Sequence, residues 1–168
     1  MKYHCFKKVT KEKENEINKL FPTIQDFIID DIDTGFNYFG ITIFDHWLTQ
    51  DEAIKELDSN ISKSLELQRD KQLFNLNKEL QNKFELYFVK IRGRRKDKVV
   101  YRHIRNFKCL EPGYHGYGWT NRAIYVLPKI KAIYIEGYDH TYHLYYLDKV
   151  LIADFLKLVD EHKLFALV

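Results

Sequence analysis

RAIYVLPKIKAIYIEGYDHTYHLYYLDKV, residues 122–150, is the stretch whose reading decides the fold. Ile130 to Glu136 and Thr141 to Leu147 are rich in Ile and Tyr and flank Gly137-Tyr138-Asp139-His140, the composition of a β-hairpin with a four-residue loop. With Glu136 opposite Thr141, Ile135 faces Tyr142 and Ile133 faces Leu144, and this face is the expected core face. The other face then pairs Tyr134 with His143 and Ala132 with Tyr145. Arg122 to Leu127 supplies a preceding strand, and Pro128 with Lys129 the turn, since proline fixes φ and cannot donate to a ladder. A three-strand meander results.

A helix is expected directly after it. Asp148 can accept from the open amides of a first turn, with Leu147 stapling onto Ile152. Leu151, Phe155, Leu158 and His162, widened by Ile152, Leu156 and Val159, form an apolar face at helical spacing that should cover the meander.

Upstream, Thr10 caps a polar helix running to about Leu20, ended by Phe21-Pro22. Thr23 to Ile43 mixes apolar residues with acids, with a turn expected at Asp33-Thr34-Gly35 and a strand near Tyr38 to Phe44. Thr49-Gln50-Asp51-Glu52 is a capping box that starts a helix. Ile54, Leu57, Ile61 and Leu65, then Leu73, Leu76, Leu80, Phe84 and Tyr87, continue helical spacing, as one helix or as two broken near residues 58–60 or 68–70. Glu85 to Arg92 could finish that helix, but its Phe, Tyr, Val and Ile content also suits a strand paired with Val99 to Phe107 across a basic turn, and the strand is the reading taken. Leu110 to Thr120, where glycines alternate with aromatics, is a loop. The whole is a single α+β domain over residues 1–168: amino-terminal helices packed on a mainly antiparallel sheet, with a carboxy-terminal helix on the meander.

Composition narrows the function classes. The 168 residues are 45% hydrophobic and 15% aromatic with a net charge of +3, enough for one sizeable core and too balanced to identify a nucleic-acid binder. No apolar run reaches membrane-helix length and Met1 to Val9 lacks a secretory segment, so a cytoplasmic protein without membrane contact is expected. Cys5 and Cys109 are far apart and without CxxC spacing, which points to two reduced thiols. No GxGxxG, P-loop, HExxH or GxSxG pattern occurs, so the usual cofactor, nucleotide, zinc-protease and hydrolase readings fall away and no cofactor is expected. Asp139, His140 and His143 have ligand chemistry, but a turn followed by strand alternation sends them apart, and no metal is expected.

Charge is unevenly distributed. The first third is acidic, and Asp30, Asp31, Asp33 and Asp45 interleaved with Phe36, Tyr38 and Trp47 mix carboxylates with aromatic anchors in the manner of a surface for a basic protein partner. The second candidate is the basic hairpin of residues 90–108. There Arg92, Arg94, Arg95, Lys96 and Arg102 could hold phosphates, His103 and His115 could exchange protons in metal-independent RNA cleavage, and Tyr117 and Trp119 could stack bases.

Arg122-Ala-Ile-Tyr-Val, Lys131-Ala-Ile-Tyr-Ile, Tyr138-Asp139-His140 and Leu147-Asp148-Lys149 before a final helix resemble the carboxy-terminal part of a family of small uncharacterised bacterial proteins. Such small proteins without catalytic motifs are similar to immunity proteins of interbacterial toxin systems. The resemblance implies a catalytically inactive protein that neutralises a toxin domain by direct binding; the alternative is a nucleic-acid-binding or RNA-cleaving protein using the basic hairpin.

Overall fold

In the computed structural model, residues 5–30, 35–57, 61–92, 98–110 and 123–168 are described. In chain order they form β1 (Phe6–Lys8), α1 (Lys11–Leu20), α2 (Ile24–Asp30), β2 (Asn37–Thr42), α3 (Gln50–Leu57), α4 (Lys63–Lys83), β3 (Tyr87–Arg92), β4 (Lys98–Ile104), β5 (Ile124–Leu127), β6 (Ala132–Ile135), β7 (Thr141–Tyr146), α5 (Ala153–Glu161) and β8 (Phe165–Leu167). The eight strands make one sheet in the order β1-β4-β3-β5-β6-β7-β2-β8. Every pairing is antiparallel. The α+β class, the meander β5-β6-β7 and the helix covering it are as the sequence predicts.

Both faces of the sheet carry a core. On one, Leu73, Leu76 and Leu80 of α4 and Phe155 and Leu158 of α5 pack against Phe39, Ile41, Phe88, Tyr125, Tyr134 and Leu144. On the other, Ile17 of α1 and Ile24 of α2 pack against Tyr87, Val89, Tyr101, Val126 and Ile133. Alternation along each strand feeds the two cores in turn. Lys13 fixes α1 to β3: its ammonium lies 2.8 Å from the Glu85 carboxylate.

The local chemistry explains most element ends. The Thr10 hydroxyl accepts the Lys13 amide at the start of α1. At α3 the Thr49 hydroxyl accepts the Glu52 amide at 3.4 Å while the Glu52 carboxylate accepts the Thr49 amide at 2.9 Å, the reciprocal pattern of a capping box. The long periodic segment is two helices, because Ser62 caps a new start by accepting the Leu65 amide.

Several expectations are corrected. The β6–β7 register is displaced by one: Ile135 pairs with His143, Tyr134 with Leu144, Ile133 with Tyr145 and Ala132 with Tyr146. The cause is the turn. Glu136 leaves the ladder, and Asp139 and His140 both take left-handed φ values of 56° and 53°, so the loop is one residue longer than the composition suggests. A slip of one exchanges the faces, so Tyr134 and Leu144 meet α4 and α5. Asp148 accepts the amide of Val150, in a turn ahead of the helix. Helix α5 therefore starts at Ala153, behind Ile152 and without a side-chain cap, and Leu147 is left exposed. Strands β1 and β8 and helix α2 are additions that periodicity did not reveal, since elements so short hold hardly two turns of any pattern.

The expectation of two reduced thiols is also corrected, because Cys5 is disulfide-bonded. Separation along the sequence misleads here: β1 pairs with β4, and the Arg105 amide donates to the Cys5 carbonyl at 2.8 Å. The Cys109 side chain lies outside the described residues. Among the described residues no helix is long and apolar enough to cross a membrane.

Candidate functional site

The corner between β2 and α3 is built on a glycine. Gly40, inside β2, leaves the sheet bare, and the Trp47 indole lies across it so closely that a Cβ at position 40 would stand 2.3 Å from Cη2. The indole Nε1 donates to the main-chain oxygen of Val168 at 2.8 Å. Trp47 is thus held at both ends, yet remains 47% exposed. Beside it, His46 bridges two carboxylates, with Nδ1 2.6 Å from Asp45 and Nε2 3.2 Å from Glu52. Hydrogen bonds donated to Asp45 and then to Glu52 raise the His46 pKa, favouring imidazolium. The Thr49 amide and hydroxyl, helped by His46, hold Glu52 down to about 2. Behind this corner a cavity of about 420 Å³ is lined by Phe44, His46, Leu48, Glu52, Glu56 and Arg69. Arg69 stands over the Phe44 ring and binds both the carbonyl and the carboxylate of Glu56, tying α3 to α4.

The other residues of the acidic, aromatic set are dispersed. Tyr38 lies on the same sheet face as Gly40, and its hydroxyl is 3.0 Å from His143 Nδ1. Phe36 is half-buried, its ring centroid 5.1 Å from that of Phe27 beneath α2. Asp30 ends α2, and Asp31 and Asp33 lie outside the described residues. The structure therefore brings Tyr38, Asp45 and Trp47 to one region and places Phe36 in an apolar layer.

Of the basic set, Arg92 ends β3 at the register position opposite Lys98, and Arg102 pairs with Phe88. His103, next along β4, turns to the other face, where its ring centroid lies 4.9 Å from that of Tyr87. Arg94, Arg95, Lys96, His115, Tyr117 and Trp119 lie outside the described residues.

A third constellation escaped sequence reasoning. Tyr125, Tyr134 and Tyr142 stand on the α4 side of three adjacent strands, with Glu136 at the end of β6 beside them. Glu136 accepts from the Tyr125 hydroxyl at 2.8 Å, from Asn77 Nδ2 at 2.9 Å and from the Ala123 amide at 3.4 Å. Burial raises its pKa to about 7, against the Tyr125 and Ala123 hydrogen bonds, which favour the ionised form. The Tyr134 hydroxyl and Asn77 Oδ1 are buried and have no hydrogen-bond partner. At the rim, His140 Nδ1 is 3.2 Å from Asp70. The signal was a tyrosine on each meander strand, Tyr125 directly opposite Tyr134 and Tyr142 two residues from Leu144, the partner of Tyr134; only the correct register turns them into a cluster. Among the described residues, no group of three or more His, Cys, Asp or Glu side chains is placed to hold a metal ion.

No family model, no curated protein and no solved structure matches the chain.

Proposed function

We propose that this protein is a catalytically inactive binding protein that occludes a basic protein partner, in the way an immunity protein neutralises a toxin domain. The observation that carries the reading is Trp47. It is locked against Gly40 and the Val168 main chain, half exposed, and next in the chain to His46, which bridges the carboxylates of Asp45 and Glu52, 72% and 42% exposed. A rigid aromatic anchor costs little conformational entropy to bury, and carboxylates around it steer a cationic partner. Phe165, 41% exposed on the adjoining β8, extends the apolar area on the same face, since it pairs with Thr42.

The test is capture of the partner from host lysate on the immobilised protein, followed by kinetics with the purified partner. Trp47→Ala should speed dissociation, whereas Asp45→Asn should slow association and weaken its dependence on ionic strength. A partner whose two rate constants are unchanged by both substitutions would overturn the reading.

A further inference from the structure

The opposite end of the sheet carries a surface of a different kind, and we infer that the β1-β4-β3 end binds the phosphate backbone of a single nucleic-acid strand. Strand β4 alternates as far as Arg102 and then exposes His103 and buries Ile104. Val99, Tyr101 and Ile104 are buried, while Lys98 is exposed and Val100 and Arg102 are half-buried. Val99 and Tyr101 face α1 and α2. Lys98, Val100 and Arg102 point the other way, beyond the reach of α4 and α5, whose core takes Phe88 and Ile104 from this end.

Register completes the patch. Lys8 of β1 pairs with Arg102, Lys90 of β3 pairs with Val100, and Arg92 stands opposite Lys98. Directly paired residues share a face of a sheet, so Lys8, Lys90, Lys98 and Arg102 project together. Lys8, Lys90 and Lys98 are exposed. The three strands contain no Asp or Glu, and none of the ion pairs among the described residues uses any of these four cations. Four clustered positive charges with no ion pair among the described residues hold mobile anions, and a polyanion gains entropy by displacing them.

The geometry selects the ligand. The cations fall on three successive register rows of one face, Lys8 with Arg102, then Lys90 beside Val100, then Lys98; rows two residues apart are about 6.7 Å apart, a spacing suited to successive phosphates of an extended strand. Three strands are about 10 Å wide, which admits one backbone and supplies no groove wall for a duplex. The aromatic residues on these strands are packed into the cores, apart from the exposed His103 on the reverse face. Among the described residues this patch therefore presents no open ring for base stacking, and binding should be indifferent to sequence. The surface shares neither face nor sheet end with Trp47, so it stands independently of the protein-binding reading.

The experiment uses the full chain and a fluorescein-labelled oligouridylate. Four phosphate contacts predict a slope of log affinity on log salt of about −3, a loss of roughly 50-fold between about 50 and 200 mM salt. Lys90→Gln with Lys98→Gln alters two exposed side chains and should leave the fold intact by circular dichroism. It should reduce the slope by about 1.4, with an oligocytidylate behaving like the oligouridylate. Absence of binding at low salt would overturn the inference. So would an unchanged slope in the double variant, or equal affinity for polyglutamate or for vesicles of anionic phospholipid.

Discussion

The Tyr125 hydroxyl donates to the Glu136 carboxylate across 2.8 Å, inside a layer that also buries Tyr134 and leaves its hydroxyl unpartnered. Glu136 is faced by Tyr125 from β5, Tyr134 from β6, Tyr142 from β7, and Asp70 and Asn77 from α4. Burial lifts its folded pKa to about 7 from an ordinary value of 4.5. Between those values the native state holds a proton that the unfolded chain has released. Stability therefore falls as pH rises through the window, by up to about 1.4 kcal/mol per pH unit, and levels above it. Urea midpoints across this range should show the fall, and Glu136→Gln should remove it. Parallel profiles for the two proteins would contradict the assignment.

Helix α3 has no buried residue, so its capping box acts locally. Thr49→Ala removes the hydroxyl that receives the Glu52 amide, and should destabilise the helix by about 0.5–2 kcal/mol. The effect should appear as faster amide exchange in residues 50–57, with the global denaturant midpoint little changed.

Phe155 is fully buried, its ring centroid 5.6 Å from that of Tyr134. Phe155→Ala should cost about 3–5 kcal/mol of global stability. A well-folded variant with the parental midpoint would mean that α5 does not cover the meander.

Gly40→Ala places a methyl group where the Trp47 ring lies. The sheet has to hold and the indole to move, at a cost of about 1–3 kcal/mol for overpacking. In a Trp119→Phe background, Trp47 emission should shift to the red and become more accessible to iodide. Unchanged emission would show that the ring was not seated on the glycine.

What was legible in the sequence divides along physical lines. The reciprocal cap of Thr49 and Glu52 and the single cap at Thr10 were readable because they are contacts between near neighbours in sequence. Strands β3 and β4 and the meander were readable from aromatic and β-branched content. The hairpin register was not, because it depends on whether Glu136 counts as strand or turn, and composition does not decide that. Neither were β1, β8 or the Cys5 bond, which depend on partners far along the chain. The same limit applied to function. Asp45 and Trp47 were found as neighbours in sequence, whereas the seat of Trp47 on Gly40 and the gathering of tyrosines around Glu136 exist only across strands.

Strand β2 lies between β7 and β8, so a segment from the first third of the chain takes both its neighbours from the last. While the polypeptide is being synthesised, β2 leaves the ribosome with no ladder to join until β7 follows it. Closing so long a loop before any pairing energy returns makes assembly slow, on the millisecond-to-second scale of non-local β topologies. Until then Phe39 and Ile41 are without their cover, and a nascent chain in that condition is a substrate for chaperones.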